Sequence, residues 1–184
     1  MPDLAPHHRT ALGRATIGDQ LRRHARTQPH KLAFISYGVD GTRTTTSYGE
    51  LNERANRFAA LFTELGVGRG DRVSSMARNH VDVVAAYYGA LKIGAAFGGV
   101  NVMYRGSDIG YQLTHSRPAV VLTDAEFAPL VDEVLPEGMR RLTYGDELDA
   151  RLNDQPTAEP VADDDQNAVA LELYTSGSEA TPKG

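Results

Sequence analysis

The last eleven residues of the chain carry the side chains best suited to chemistry. Residues 174–184 read Tyr-Thr-Ser-Gly-Ser-Glu-Ala-Thr-Pro-Lys-Gly and directly follow an apolar stretch. A flexible loop of this composition wraps an anion with backbone N–H groups and short hydroxyls, and a lysine adds positive charge. The pattern predicts a polyphosphate-binding loop. Its predicted ligand-binding residues are Thr175, Ser176, Gly177, Ser178 and Lys183.

Two other interpretations of this loop need to be weighed. A surface loop rich in Ser, Thr and Gly is common in proteins, although ligands of open α/β sheets gather where the strands end. The P-loop of nucleoside triphosphatases, G-x-x-x-x-G-K-S/T, would place Gly177 and Lys183 at the right separation. However, Pro182 replaces its second glycine and Gly184 replaces the hydroxyl that would hold magnesium. Because proline also hinders the helix that a P-loop begins, we reject that interpretation.

Helical and strand patterns alternate along most of the chain, and these elements must position the loop. The spacing of apolar residues predicts helices over 17–28, 47–65, 81–93, 107–115 and 127–135. Runs of β-branched and apolar residues predict strands over 32–37, 42–46, 72–76, 95–100, 119–123, 140–144 and 168–174. Such alternation favours βαβ units. We expect an α/β fold with a mostly parallel sheet flanked by helices on both faces.

Local signals predict where some of these elements begin. Ser47 and Glu50 form a capping-box pattern, in which each side chain would accept a hydrogen bond from the other residue's backbone amide. Asn79 is predicted to cap the helix over 81–93, because its side chain suits that position. The pair Asp40-Gly41 predicts a hairpin turn between the first two strands.

The composition limits the class of protein. Hydrophobic residues make up 41% and charged residues 23% of the 184 residues, the net charge is -5, and cysteine is absent. An acidic chain argues against nucleic acid as a partner, and the lack of cysteine excludes a disulfide framework or a thiolate site. No apolar run approaches the roughly 20 residues that a transmembrane helix needs. We therefore expect a globular protein of the cytoplasm.

Two other segments are predicted to carry no chemistry. Residues 1–15 should form a flexible tail, where His7 and His8 are too few to make a metal site. Residues 153–167 should form a surface loop. The three adjacent aspartates at 163–165 could ligate a divalent cation, but adjacent side chains do not converge without a special turn. We favour a solvated loop and predict no metal ligands in this chain.

The closing loop resembles the signature of the AMP-forming ligase superfamily, which includes acyl-CoA synthetases, luciferases and peptide-synthetase adenylation domains. Their pattern is Y/F-T-S-G-S/T-T-G-x-P-K-G, from which Glu179 and Ala180 depart. The positions that match are Tyr174, Thr175, Ser176, Gly177, Ser178, Pro182, Lys183 and Gly184. The resemblance extends over nearly the whole chain, because stretches at 46–51, 70–73, 90–95 and 116–122 resemble earlier family motifs in the same order.

The resemblance implies that residues 16–184 form part of the large N-terminal AMP-binding domain of an adenylate-forming enzyme. Fatty acyl-CoA ligases of this family use ATP, Mg²⁺ and coenzyme A to convert a carboxylic acid, here expected to be a fatty acid, to a thioester through an acyl-adenylate. In the family the remaining nucleotide-binding and catalytic residues lie downstream of this loop. We therefore expect no catalytic residue in the chain, no activity of the chain alone, and self-association or a homodimer through apolar surface.

Two alternatives stay open at this point. One is a non-catalytic α/β scaffold or interaction module derived from such a ligase, which the departures at Glu179 and Ala180 favour. The other is an acyl-AMP ligase or adenylation domain that loads a carrier protein. The sequence does not distinguish acyl chain lengths, because the acyl pocket of the family lies mostly downstream.

Overall fold

Helices and strands alternate along the part of the chain that the computed structural model describes, which comprises residues 16–38, 41–161, 165 and 167–175. The helices are α1 (Ile17–Thr27), α2 (Tyr48–Glu64), α3 (Val81–Lys92), α4 (Gly106–Ser116), α5 (Ala128–Asp132) and α6 (Asp146–Asn153). The strands are β1 (Leu32–Tyr37), β2 (Arg43–Ser47), β3 (Arg72–Met76), β4 (Ala96–Gly99), β5 (Val120–Thr123), β6 (Arg140–Thr143) and β7 (Leu171–Glu172). The predicted tail and Asp40 lie outside the described residues.

Five of these strands form one sheet in the order β6-β5-β3-β4-β7, and every neighbouring pair is parallel. The register places Val73 opposite Phe97 on one side and opposite Val120 on the other. Strands β1 and β2 form a separate antiparallel ribbon. The prediction of a mostly parallel sheet is therefore confirmed.

Helices cover both faces of the sheet, as predicted. Successive side chains of a strand point to opposite faces, so Val121 contributes to one apolar cluster while Val120 and Leu122 contribute to another. The larger cluster joins the sheet to α1, α2, α3 and α6, and the smaller cluster joins it to α4 and α5. Burial on both faces explains why β5 has an unbroken apolar run, since alternation would leave one face polar.

The capping box at the start of α2 is confirmed. The backbone N–H of Glu50 donates to Ser47 Oγ over 3.3 Å, and the backbone N–H of Ser47 donates to Glu50 Oε2 over 2.8 Å. The predicted cap at Asn79 is wrong, because His80 is the N-cap of α3 and its side chain makes no capping hydrogen bond. The backbone N–H of Arg78, just before this position, donates to the carboxylate of Asp124, which follows β5. His80 is extended, with φ -145° and ψ 169°, and the helix begins after it.

Two other elements are much shorter than predicted, and one helix was not predicted. The strand expected over 168–174 is only the two residues of β7, and the helix expected over 127–135 is only the five residues of α5. Helix α6 was not predicted, although its first turn carries Asp146, Glu147 and Asp149. Negative side chains stabilise the positive N-terminal end of a helix, so this acidic cluster was a usable signal.

Helices α2 and α3 pack closely because Gly89 has no side chain. A Cβ atom at this position would lie 2.7 Å from Phe58 Cβ and 2.9 Å from the carbonyl oxygen of Ala55. Real Cβ atoms essentially never approach other atoms so closely, so a larger residue would force the helices apart. The close contact places the apolar helix α3 between α2 and the sheet, within the larger cluster.

A buried lysine holds the chain between α6 and β7 against these helices. We call residues 154–161 the strap. The ammonium group of Lys92, whose residue is 5% exposed, donates to Asn52 Oδ1 over 2.7 Å and to Asn56 Oδ1 over 2.6 Å. It also donates to Glu159 Oε2 in the strap over 2.7 Å. These four residues form the Lys92 clamp, in which Asn52 also donates to the other oxygen of Glu159 over 2.6 Å.

Backbone contacts extend the hold on the strap. Asn56 Nδ2 donates to the carbonyl oxygen of Thr157 over 2.8 Å. One nitrogen of Arg57 donates to the carbonyl oxygens of Leu152 at 2.9 Å and Gln155 at 3.1 Å. The loop predicted over 153–167 does lie at the surface through the strap, but polar side chains of α2 and α3 hold it in one place.

The two charges of the clamp shift each other's titration. Burial lowers the pKa of Lys92, against the opposing effect of the Glu159 carboxylate. Burial acts to raise the pKa of Glu159, but hydrogen bonds from Lys92 and Asn52 outweigh it, so the pKa of this carboxyl lies below its usual value of 4.5. As the pH falls toward 4.5, the Glu159 carboxyl of the unfolded chain begins to take up a proton. The folded state therefore keeps this carboxyl ionised at pH values where the unfolded chain does not.

Among the described residues, no helix combines the length and the apolar character that crossing a membrane requires.

We predict that Gly89→Ala destabilises the fold by roughly 1–2 kcal/mol. Overpacking a core typically costs about 1–3 kcal/mol, which the higher helix propensity of alanine offsets by up to about 1 kcal/mol. Gly110→Ala in α4 is the matched control, because a Cβ there meets Val134 Cβ at an ordinary 3.4 Å. Chemical denaturation should show a loss for the first variant and no loss for the second. Equal stability of both variants would refute the close packing of α2 and α3.

We predict that Glu159→Gln flattens the acid dependence of stability. Because the folded-state pKa of Glu159 is lowered, its contribution is present above about pH 4.5 and is lost as pH falls through the folded-state value. With this side chain partly exposed, the contribution should be on the order of 1 kcal/mol. Denaturation curves at pH 6 and pH 3.5 should show a smaller loss for the variant than for the wild type. Glu53→Gln on exposed α2 surface is the control and should keep the wild-type slope.

Candidate functional site

The predicted phosphate loop begins where β7 ends. Of its predicted ligand-binding residues, Thr175 is exposed at the end of the described chain, and Ser176, Gly177, Ser178 and Lys183 lie outside the described residues. The structure therefore describes the segment that leads into the loop. Strand β7 pairs with β4 through Leu171 opposite Phe97 and Glu172 opposite Gly98. Since all pairs are parallel, Thr175 follows the carboxyl edge of the sheet, where open α/β folds bind ligands.

A chain of polar contacts surrounds Tyr174, the residue directly before Thr175. The Tyr174 hydroxyl donates to Glu172 Oε1 over 3.0 Å and lies 2.5 Å from His115 Nδ1 at the end of α4. The Tyr174 and His115 rings also meet edge to face with centroids 5.6 Å apart. The second oxygen of Glu172 accepts from Arg72 Nε over 2.8 Å. The last described turn of chain is thus connected to α4 and to β3.

The hydroxyl of Tyr174 stays protonated at all ordinary pH. Partial burial, together with the hydrogen bond to the Glu172 carboxylate, raises the pKa of Tyr174 to about 12. A neutral hydroxyl supplies a donor to the carboxylate and leaves its oxygen free to accept. Tyr174 is therefore suited to a structural role beside the loop and not to proton transfer at neutral pH.

A second polar group lies at the same edge of the sheet, after β3 and β5. Asp124 Oδ2 accepts from the backbone N–H of Arg78 over 2.7 Å, and Asp124 Oδ1 lies 3.1 Å from His80 Nε2. The guanidinium of Arg78 forms a two-point ion pair with Glu126, at 2.5 and 3.0 Å. This ion pair holds the pKa of the exposed Glu126 carboxyl below its usual value.

Buried side chains of the sheet contact the residues at this edge. The His80 ring meets the Tyr144 ring edge to face at 4.7 Å, and the Tyr144 hydroxyl lies 3.2 Å from Ser75 Oγ. Burial raises the pKa of Tyr144 well above its usual range, against the opposing bond to Ser75. The charges after β3 and β5 therefore pair with one another, and their evident effect is to tie two loops of the carboxyl edge together.

These edge residues were not predicted from the sequence. Their signal was available, because Arg78, His80 and Asp124 follow predicted strands within a few residues. Within the described ranges, no three His, Asp or Glu side chains form a group that could hold a metal ion. Asp163 and Asp164 lie outside those ranges. Asp165 is described and forms an ion pair with Arg69 at 2.5 Å.

Comparisons with known proteins agree with the fold and with the loop motif. A family model described as AMP-binding enzyme matches residues 21–184. The long-chain-fatty-acid–CoA ligase FadD13 of Mycobacterium tuberculosis is 32% identical over 173 residues, which cover 91% of this chain and 34% of that protein. A crotonobetaine/carnitine–CoA ligase of Escherichia fergusonii is 30% identical over 172 residues, covering 84% of this chain and 33% of that protein.

Solved structures show the same similarity. A Mycobacterium tuberculosis fatty acyl CoA synthetase superposes with a TM-score of 0.81 at 30% identity, covering 92% of this chain and 34% of that one. The N-terminal domain of FACL13 from the same organism gives 0.82 at 29% identity, covering 92% of this chain and 43% of that one. The fold and the loop thus define part of the N-terminal domain of an adenylate-forming enzyme. The chain belongs to the AMP-binding enzyme family and spans about a third of the length of its curated relatives.

We predict that Asp124 stabilises the carboxyl edge by about 1 kcal/mol. Asp124→Ala removes the acceptor for the Arg78 backbone N–H, and a lost hydrogen bond typically costs about 0.5–1.5 kcal/mol. Asp124→Asn keeps an acceptor oxygen and adds a donor toward His80, so it should cost less than half as much. Denaturant unfolding of both variants measures the difference. If alanine and asparagine were equally tolerated, the two loops would not depend on this contact.

Proposed function

We infer that this chain supplies the phosphate-binding part of an ATP-dependent, AMP-forming acyl-CoA ligase. The observation that carries this proposal is the signature loop at 174–184, which follows a strand of the parallel sheet at its carboxyl edge. Membership of the AMP-binding enzyme family supports it. Two curated relatives are CoA ligases, one for long-chain fatty acids and one for crotonobetaine or carnitine. We propose a carboxylic acid as the substrate, and a fatty acid in particular.

The first step of the proposed reaction is adenylation. An oxygen of the substrate carboxylate attacks the α-phosphorus of ATP, the bond from that phosphorus to the bridging oxygen breaks, and pyrophosphate leaves. Thr175, Ser176, Ser178 and the backbone around Gly177 would hold the β- and γ-phosphates, as the family resemblance implies. Lys183 would offset the negative charge that develops on the leaving group. Holding the phosphates in line lowers the barrier through orientation and charge stabilisation.

The second step transfers the acyl group to a thiol. The thiol of coenzyme A attacks the acyl carbon, AMP leaves, and a thioester forms. The leaving group of this step is AMP and not pyrophosphate, so the charge that Lys183 would offset in the first step does not develop here. The alternative acceptor is the thiol of a carrier protein, as in acyl-AMP ligases and adenylation domains. The two acceptors are distinguished by supplying each to the enzyme that contains this sequence.

ATP, coenzyme A and Mg²⁺ are the proposed cofactors. Mg²⁺ is implied by the family resemblance, but within the described residues no group of acidic or histidine side chains offers it three ligands. We therefore assign no step to the metal. We also propose the cytoplasm as the location, which fits an acidic chain without cysteine. That the 184-residue chain alone forms no acyl-CoA, and that it self-associates, stay predictions.

We predict that Lys183→Ala slows adenylation on the order of 10- to 1000-fold, as expected for the loss of one preorganised electrostatic donor. The measurement is pyrophosphate release, followed in the active ligase that contains this sequence. The thioester step, started from preformed acyl-adenylate, should be much less affected. If both steps survived the change, Lys183 would be a solvated loop residue. Equal damage to both steps would point to a folding role.

Glu179→Thr is the internal control for this experiment. It restores the residue usual in the family and removes a carboxylate that would oppose phosphate. Adenylation should be unchanged or faster. A collapse of adenylation would show that Glu179 has a function of its own, and the proposed account of the loop would then be wrong. If the wild-type ligase and both variants released no pyrophosphate, the non-catalytic alternative would be favoured.

A further inference from the structure

The polar contacts around Tyr174 have one consistent assignment of hydrogens. A tyrosine hydroxyl carries a single hydrogen, and a carboxylate only accepts hydrogen bonds. Because Tyr174 Oη lies 3.0 Å from Glu172 Oε1, its hydrogen must point to that oxygen. The contact of 2.5 Å to His115 Nδ1 then needs the hydrogen on the nitrogen. The hydrogen bonds therefore run from His115 Nδ1 to Tyr174 Oη and from Tyr174 Oη to Glu172 Oε1. Arg72 Nε donates to the other oxygen of Glu172.

These side chains add to a thin backbone connection. Strand β7 has two residues, and its register with β4 consists of Leu171 opposite Phe97 and Glu172 opposite Gly98. Leu173, between β7 and Tyr174, is 61% exposed. The contacts of Tyr174 therefore add restraints to the chain directly before Thr175.

The sheet is shaped to admit these contacts. Gly98 has no side chain, and a Cβ there would lie 3.3 Å from the carbonyl oxygen of Glu172. Arg72 and Glu172 bridge over β4 from β3 to β7, and their ion pair spans 2.8 Å. On the helix side, the Tyr111 ring stacks on His115 with centroids 5.8 Å apart. His115 is thus held on α4 while its Nδ1 faces the Tyr174 hydroxyl.

We propose that His115, Glu172 and Arg72 are positioning residues for the phosphate loop and act through Tyr174. The proposal rests on the proposed function, because it gives these residues the task of setting where the polyphosphate-binding loop begins. We call the four residues the Tyr174 anchor. Arg72, His115 and Glu172 do not need to touch the ligand. The anchor contributes to the position of Tyr174 and Thr175, where the predicted loop begins.

The contact itself is tested without any ligand. Nitrogen-15 NMR of the 184-residue chain, at a pH where titration shows the His115 imidazole to be neutral, reports which ring nitrogen carries the hydrogen. We expect the hydrogen on Nδ1, because the tautomer is set by the hydrogen bond that the ring makes. Tyr174→Phe removes the acceptor and should shift His115 toward the Nε2–H form. A wild-type ring already in the Nε2–H form, and unchanged by Tyr174→Phe, overturns the anchor.

The positioning role is tested with inorganic triphosphate as the probe. Titration into the same chain, followed by the backbone amide shifts of 175–184, gives a residue-resolved affinity. Tyr174→Phe and His115→Phe should each weaken binding roughly three- to tenfold, the range expected for one lost hydrogen bond. The double variant should be no weaker than either single variant, because both break the same connection. Equal affinity in the wild type and both single variants overturns the role.

Two further variants separate positioning from folding. His115→Asn keeps an N–H donor near the Nδ1 position and should restore most of the affinity that His115→Phe loses. Tyr111→Phe is the matched control, since its hydroxyl makes no hydrogen bond among the described residues, and it should leave affinity unchanged. Failure of Asn to rescue, with the circular dichroism spectrum of the wild type retained, counts against the anchor. Equal weakening by Tyr111→Phe would reveal a general packing effect and also overturn it.

Lys183→Ala distinguishes failure of this inference from failure of the proposed function. If the wild-type chain and Lys183→Ala show the same absence of binding, and Lys183→Ala also leaves pyrophosphate release by the active ligase unchanged, the phosphate-loop function fails, and the His115 tautomer alone decides whether the contact exists. If Lys183→Ala weakens binding and Tyr174→Phe does not, the loop function stands and the anchor is refuted.

Discussion

The buried ammonium of Lys92 is the interaction on which the route of the chain to the candidate site depends. A charge that is 5% exposed is tolerated only when its hydrogen-bonding capacity is used, and here Asn52, Asn56 and Glu159 accept from it. Two of these partners lie on α2 and the third on the strap. Satisfying the lysine therefore requires the strap to cross α2 and α3, and this crossing leads the chain from the far edge strand β6 back to β7.

The parallel sheet and the strap both determine where the predicted phosphate loop begins. A sheet covered on both faces gathers the carboxyl ends of its strands at one edge, and the loops there are tied by contacts such as Asp124 to Arg78. The strap returns the chain to the opposite side of the sheet, so that β7 adds beside β4. The predicted phosphate loop then begins at the edge that α/β folds use for ligands. Charges serve here mainly to connect segments, because each described charge in these groups has a partner.

Sequence reasoning succeeded where the determining contacts are local. The capping box joins Ser47 to Glu50, three residues apart, and the apolar run of β5 reflects burial of that segment on both faces. The loop motif was also readable, because its residue types and order lie in one stretch. The Lys92 clamp was not predictable in this way, since Glu159 is 67 residues from Lys92. Likewise, His115 and Tyr174 are 59 residues apart, and no local pattern links a helix end to the start of a loop.

The wide spacing of these contacts in the sequence has a consequence for the order of folding. The contact between Asn52 and Glu159 closes a loop of 107 residues, and the pairing of β7 with β4 also joins distant segments. Contacts between distant residues cost more chain entropy before they are formed, and they slow folding. We expect β3, β4, β5 and β6 to assemble with their helices first and β7 to join last. During synthesis, the residues that lead into the predicted phosphate loop would then acquire their position only after the rest of this sheet exists.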